Sequence, residues 1–300
     1  EGAVSRIELR PLTEAESADF IRALVPRLRD IPEEVLAAVN HRARGNPTSL
    51  REIVRVFLEN GVLVAQGREW TVNTERLAKG DLPVTLADAL RARVAKLDDR
   101  DRLVLERAAA AGDSFFAEMI VAMERADETH APSGRDAGWA SDTDLSALVQ
   151  TLRRLEARDF IAASSEQPLT GALGFTFRHT GIREALYAQI PTDRRARYHR
   201  VGAQWLELNA NERLSELLPS IASHYEVGGD LRRAGFAYLH AGSVARQRYL
   251  NAHAIRLFEK GLTCLDPDDR TARLEALHDL GSVHALVGDY DAALGRFGEM

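Results

Sequence analysis

Gly281-Ser282-Val283-His284-Ala285-Leu286-Val287-Gly288-Asp289-Tyr290-Asp291-Ala292-Ala293-Leu294-Gly295-Arg296-Phe297 is the stretch on which the reading of the fold turns. Gly288-Asp289 divides two runs of helical periodicity, so the segment reads as helix, turn, helix. Small residues stand at Gly281 and Ala293, and an aromatic stands at Phe297. The spacings of 12 and 4 recur at Gly242, Ala254 and Phe258, and again at Ala222, Ala234 and Tyr238. Small side chains at these offsets let two antiparallel helices approach closely, and the aromatic is expected to fill the gap to the next pair. A self-similar unit of this kind predicts stacked helical pairs over residues 192–300. The interval from Gly242 to Gly281 is 39 residues, and the register between the three instances is irregular.

Residues 85–191 keep a helical pattern but add strands. Leu86, Leu90, Val94 and Leu97 share one helix face. Leu103, Leu105 and Ala108 to Ala111 belong to the next helix, ended by Gly112, and Phe115, Phe116, Ile120 and Val121 to a third. Residues 127–142 are polar and rich in Ser, Gly and Asp, hence a loop or insertion. Leu145, Leu148, Leu152 and Leu155 form another helix. Phe160 to Ala163 and Phe175 to Phe177 read as two strands around a loop holding Pro168, Gly171 and Gly174. Helices, a two-stranded wing and a further helix make a winged-helix layout.

Residues 62–84 predict a hairpin, Val62-Leu63-Val64 against Trp70-Thr71-Val72 around Gly67, and then a linker at Gly80 to Pro83. In residues 1–61, Ile7 and Leu9 alternate with charged residues as a short strand. Thr13 and Glu16 form a capping box for a helix striped by Phe20, Leu24 and Leu28. A second helix starts near Pro32 with Leu36 and Val39 inward, and a third runs from Pro47 to a stop at Gly61. One strand cannot form a sheet alone. The expectation is the end of a larger α/β unit plus a small helical lid, with the strand's partners before Glu1. The start at Glu1 and the stop at Met300 inside a helix both read as cuts. The fold class is mainly α.

The 300 residues carry 39 basic and 45 acidic side chains, a formal charge of −6, which exerts no global pull toward nucleic acid or anionic membrane. The single cysteine, Cys264, excludes an intramolecular disulfide and a cysteine-based zinc site, and fits a reducing, cytoplasmic setting. No apolar run approaches the roughly 20 residues that span a bilayer. Glu1-Gly2-Ala3-Val4 does not have the layout of a signal peptide.

Catalytic signatures are missing. No Gly-Lys pair supplies a P-loop, and His-Glu-x-x-His, Gly-x-Ser-x-Gly and Gly-x-Gly-x-x-Gly are absent. The nine histidines show no ligand spacing, and Asp98-Asp99 and Asp266 to Asp269 read as cap and turn positions. Neither a catalytic nor a metal-binding residue is expected in this chain. Arg42-Ala43-Arg44-Gly45-Asn46-Pro47 is more informative, because Asn can cap, Pro suits a first turn and Gly permits an unusual backbone. A well-built helix start accounts for these residues. The functional alternative is a rigid proline face and helix-end N–H groups that meet a nucleotide.

In its helical repeats the chain resembles tetratricopeptide repeats, whose small and aromatic positions have the spacing above; their usual period is 34 residues, so these are TPR-like. As a whole it resembles the STAND-type signal-transduction ATPases, and more closely the bacterial AAA-like ATPase modules fused to Ser/Thr kinases, nucleotide cyclases or LuxR-type regulators. The resemblance rests on Ile7 to Leu12, Gly45-Asn46-Pro47 with Leu50 to Ile53, Leu82 to Leu86, Ala108 to Gly112, Phe177-Arg178-His179-Thr180-Gly181 through Tyr187, and His224-Tyr225, all in order. It implies the end of a nucleotide-binding domain with its lid (1–61), a hairpin and linker (62–84), a winged helix (85–191) and a TPR-like solenoid (192–300). It also implies that ATP or ADP is the cofactor, with Mg²⁺ and the phosphate loop supplied from before residue 1. Gly45, Asn46 and Pro47 would lie at the adenine. His179, opening a helix in a Phe-x-His segment, would reach the β-phosphate, although the acidic neighbour typical of the eukaryotic version is absent. The repeats would bind a protein partner or effector, and nucleotide-dependent self-association is compatible with such a switch. Two alternatives remain open. One is a plain repeat scaffold. The other is a DNA-binding regulator through Arg153, Arg154 and Arg158, which Glu156 and Asp159 interrupt.

Overall fold

The structure, a computed structural model, describes residues 10–25, 33–59, 61–66, 69–73, 86–129, 142–164, 169 and 171–300. The strand expected at Ile7–Leu9, the turn at Gly67, the linker at 80–83 and most of the polar stretch 127–142 lie outside them. The chain is mainly helical and forms two compact units, residues 1–99 and 100–300.

The first unit contains α1 (Glu14–Leu24), α2 (Glu33–Ala43), α3 (Pro47–Glu59), a hairpin of β1 (Leu63–Gln66) and β2 (Glu69–Val72), and α4 (Leu86–Ala95). The capping box is present: the Thr13 hydroxyl accepts from the Glu16 N–H, and the Thr13 N–H donates to the Glu16 carboxylate at 2.8 Å. Helix α3 supplies the centre of the core. Leu50, Ile53, Val54 and Phe57 recur at helical spacing and are buried with Ile21, Val25, Val39, Val62 and Leu63. The sequence grouped α4 with the helices that follow it. In the structure α4 packs on α3, where Arg93 Nη1 donates to Glu52 Oε2 at 2.8 Å. Both side chains are almost wholly buried. The units therefore divide after Asp99, not at residue 84.

The second unit opens with α5 (Asp99–Ala111), β3 (Ser114–Phe116), α6 (Ala117–Thr129), α7 (Asp142–Ala157), β4 (Ile161–Ala163), β5 (Gly174–Phe177) and α8 (Thr180–Gln189). Its three strands form an antiparallel sheet in the order β3-β5-β4. The sequence placed Phe115 and Phe116 in a helix; they lie on β3. Phe115 pairs with Phe175 across the ladder, its ring 5.9 Å from that of Phe175 and 5.7 Å from that of Phe177. This cross-strand aromatic cluster outweighs the local helical pattern. Buried Asp101 on α5 accepts from Arg154 and, at 2.8 Å, from Arg158, tying α7 to α5.

Six helices follow: α9 (Thr192–Asn209), α10 (Leu214–Val227), α11 (Leu231–Gln247), α12 (Asn251–Cys264), α13 (Arg270–Leu286) and α14 (Tyr290–Glu299). They pack in sequence, each against the next. A Cβ on Gly242 would lie 2.9 Å from the Phe258 ring, and one on Gly281 would lie 2.7 Å from the Phe297 ring. The aromatic thus fills the space over the glycine of its own pair, α11–α12 or α13–α14, and not only a gap to the next pair. Ala222 and Ala234 instead lie buried on α10 and α11, which belong to different pairs. That change of joint explains the irregular register of the three sequence matches. The 39-residue interval runs from the start of α11 to the start of α13, and it includes the 17-residue α11 and the connection 265–269 after α12. Among the described residues no helix is long and apolar enough to cross a membrane.

Candidate functional site

The residues singled out from the sequence fall in both units. Gly45, Asn46 and Pro47 form the turn from α2 into α3. Gly45 has φ +70° and Arg44 before it φ +49°. The Leu12 N–H donates to the Gly45 carbonyl at 2.9 Å, and a Cβ on Gly45 would run into the Leu12 backbone and approach Pro11 at 3.0 Å. Glycine is needed here both for its backbone angle and for this close approach. Asn46 Oδ1 accepts from the Thr48 N–H at 2.9 Å and the Ser49 N–H at 3.1 Å. Two of the helix-end N–H groups offered to a nucleotide in the sequence reading are therefore engaged by the cap. Pro47 begins α3 and stays exposed, so the turn presents a ring face and not a cluster of bare donors.

His179 is in the second unit. It is the N-cap residue of α8, with extended backbone, half-buried, and its side chain does not cap the helix. Arg178 beside it approaches Asp159 at 3.4 Å. Of the arginines weighed for DNA, Arg154 and Arg158 are engaged by Asp101, and Arg153 donates to Glu156 at 2.9 Å. The phosphate-binding reading of that helix end loses its unopposed charge. A cleft of about 250 Å³ between α5, α6 and α7 has Val104 and Leu148 as its apolar wall and Arg125 and Asp144 across its mouth, paired at 2.7 Å. Neither the Gly45 turn nor His179 lines it.

The most concentrated polar chemistry sits where the sequence reading put nothing. Tyr187 on α8, His199 on α9 and His224 on α10 form one chain: Tyr187 Oη lies 2.8 Å from His199 Nε2, and His199 Nδ1 lies 2.9 Å from His224 Nδ1. The backbone of Ala111, at the end of α5, also lies beside the His224 ring. Both histidines are under a tenth exposed. Burial, the neighbouring His224 ring and Arg195 push His199 down to about 3, and burial pushes His224 down to about 4 against the opposing Ala111 carbonyl. Both rings are neutral at physiological pH. His224 stands in a stretch quoted above only for resemblance.

In comparisons with known proteins, no family model, no curated protein and no solved structure matches the chain.

Proposed function

We propose that residues 1–300 are the regulatory part of a nucleotide-switched, multidomain signalling protein of the STAND type. The observation that carries this reading is the succession in the second unit. Helix, strand, two helices and a hairpin, with sheet order β3-β5-β4, agree with a winged-helix layout, and stacked helical pairs, two of them with an aromatic over a glycine, follow at once. Helical pairs of this kind are TPR-like and offer a surface for a protein partner or effector. In this reading the first unit is the lid, Pro47 lays its exposed ring against the adenine of ATP or ADP, and His179 reaches the β-phosphate. The phosphate loop and Mg²⁺ would in this reading be supplied from outside residues 1–300. A bound nucleotide shifts such a switch only through its different affinity for two states.

The engaged Asn46 cap favours a second reading, a protein-interaction scaffold without a nucleotide role, because it accounts for the turn by helix capping alone. Calorimetric titration of ADP into the protein extended N-terminally past Glu1 separates the two. Binding that weakens at least tenfold in both Pro47→Ala and His179→Ala is the expected result. No binding, or binding indifferent to both substitutions, overturns the nucleotide reading and leaves the scaffold.

A further inference from the structure

Two helical pairs share one packing device, Phe258 over Gly242 and Phe297 over Gly281, and the pair before them, α9–α10, departs from it. There a Cβ on Gly202 would lie 3.2 Å from Met123 Cε on α6 and 3.5 Å from Nδ1 of His224, so an imidazole lies beside the glycine where no phenyl ring does. Across the Nδ1···Nδ1 contact one ring donates and the other accepts, so one lone pair and one proton lie between the two rings. His199 Nε2 then accepts from the Tyr187 hydroxyl or donates to its oxygen, according to which ring donates. Each group is satisfied in either direction, and three helices (α8, α9 and α10) meet in the chain.

We propose that Tyr187, His199 and His224 are a proton-sensitive latch that fastens the first helical pair, α9–α10, to α8 and to the end of α5. The latch holds only while both rings are neutral. A proton added to either ring leaves a cation inside a buried pair, and on the accepting Nδ1 it sets two N–H groups facing each other across 2.9 Å. The groups facing the pair offer little compensation. From α9 comes the Arg195 guanidinium, which stacks 4.5 Å over the Tyr187 ring and donates to the Tyr187 and Ile190 carbonyls. From α8 comes the Tyr187 phenol, and from α5 the Ala111 carbonyl, which alone of these favours a charged ring. Acidification therefore opens the joint between the sheet-bearing helices and the helical pairs. This inference does not depend on the nucleotide reading.

Hydrogen exchange of backbone amides on the full chain tests it, with α13–α14 as internal reference and rates corrected for intrinsic exchange. Between pH 7.5 and 5.0 the protection of α9 and α10 is expected to fall by about thirtyfold relative to the reference, the factor for one histidine of ordinary pKa about 6.5 becoming protonated in the open state. The double variant His199→Leu/His224→Phe replaces both titrating rings by apolar side chains and is expected to keep its protection ratio constant. An unchanged ratio in the wild type, or the same loss in the double variant, overturns the proposal. If the double variant does not fold, ¹⁵N imidazole spectra of the wild type decide. Both rings neutral at pH 5.5, with one proton between the two facing Nδ1 atoms, supports the latch. A ring that titrates near 6.5 overturns it.

Discussion

Glu52–Arg93 and His199–His224 join helices in different units, and each brings together side chains distant in sequence at 2.8 to 2.9 Å in a buried setting. Their chemistry is opposite. The first contact is an ion pair whose mutual attraction offsets the cost of taking two charges out of water. The second is a pair of neutral rings, each held neutral by burial. Removing a partner is the way to break the first; supplying a proton is enough to break the second. A buried polar contact can thus be fixed or conditional, depending on whether its members need charge to hold together.

The contrast is broken most severely by Glu52→Leu. It removes the buried carboxylate that Arg93 meets at 2.8 Å, with Glu59 at 3.5 Å still beside the guanidinium, and unfolding is expected to cost about 3 kcal/mol less for the first unit, read by denaturant melts. Leu in both positions should recover much of that loss. The phenyl-over-glycine pairs sharpen the comparison on the apolar side. Phe258 is 1% exposed and has no room to move, so Gly242→Ala should destabilise by about 2 kcal/mol. Phe297 is 39% exposed and can swing aside, so Gly281→Ala should cost about 0.5 kcal/mol or gain from helix propensity. Equal losses at the two glycines would contradict the assigned packing. Smallest are the caps. Asp230 accepts from the Arg233 N–H and Asp289 from the Ala292 N–H, both at 3.2 Å, and either one replaced by Ala should lower stability by about 1 kcal/mol, with Asn as a near-neutral control.

Much of this architecture is legible in the sequence because the deciding signals are local. The Thr13–Glu16 box, the Gly61 stop and the Gly288-Asp289 turn each act within a few residues, and the helices they bound are found where they were expected. What escaped depends on partners far along the chain. Phe115 and Phe116 follow a helix and precede another, and only Phe175 and Phe177, some 60 residues on, draw them into a strand. Helix α4 belongs to the first unit because Arg93 finds Glu52, a pairing that periodicity does not encode. The turn at Gly45 was found from residue types alone, and its use as a close approach to Leu12 was not. His199 and His224 look scattered in the sequence because only the packing of α9 on α10 brings their rings together.

The most direct measurement is the denaturant stability of the wild type and of His199→Leu/His224→Phe at pH 7.5 and 5.0. The folded-state values of about 3 and about 4 lie below the ordinary histidine value of about 6.5. The unfolded chain therefore takes up protons first as the pH falls, so this stabilisation is complete above about pH 6.5 and is lost on descent toward pH 4. The wild type is expected to lose at least about 2 kcal/mol more than the double variant between the two pH values. Equal losses in the two proteins would contradict the account of α9–α10 as a pair held by neutral imidazoles.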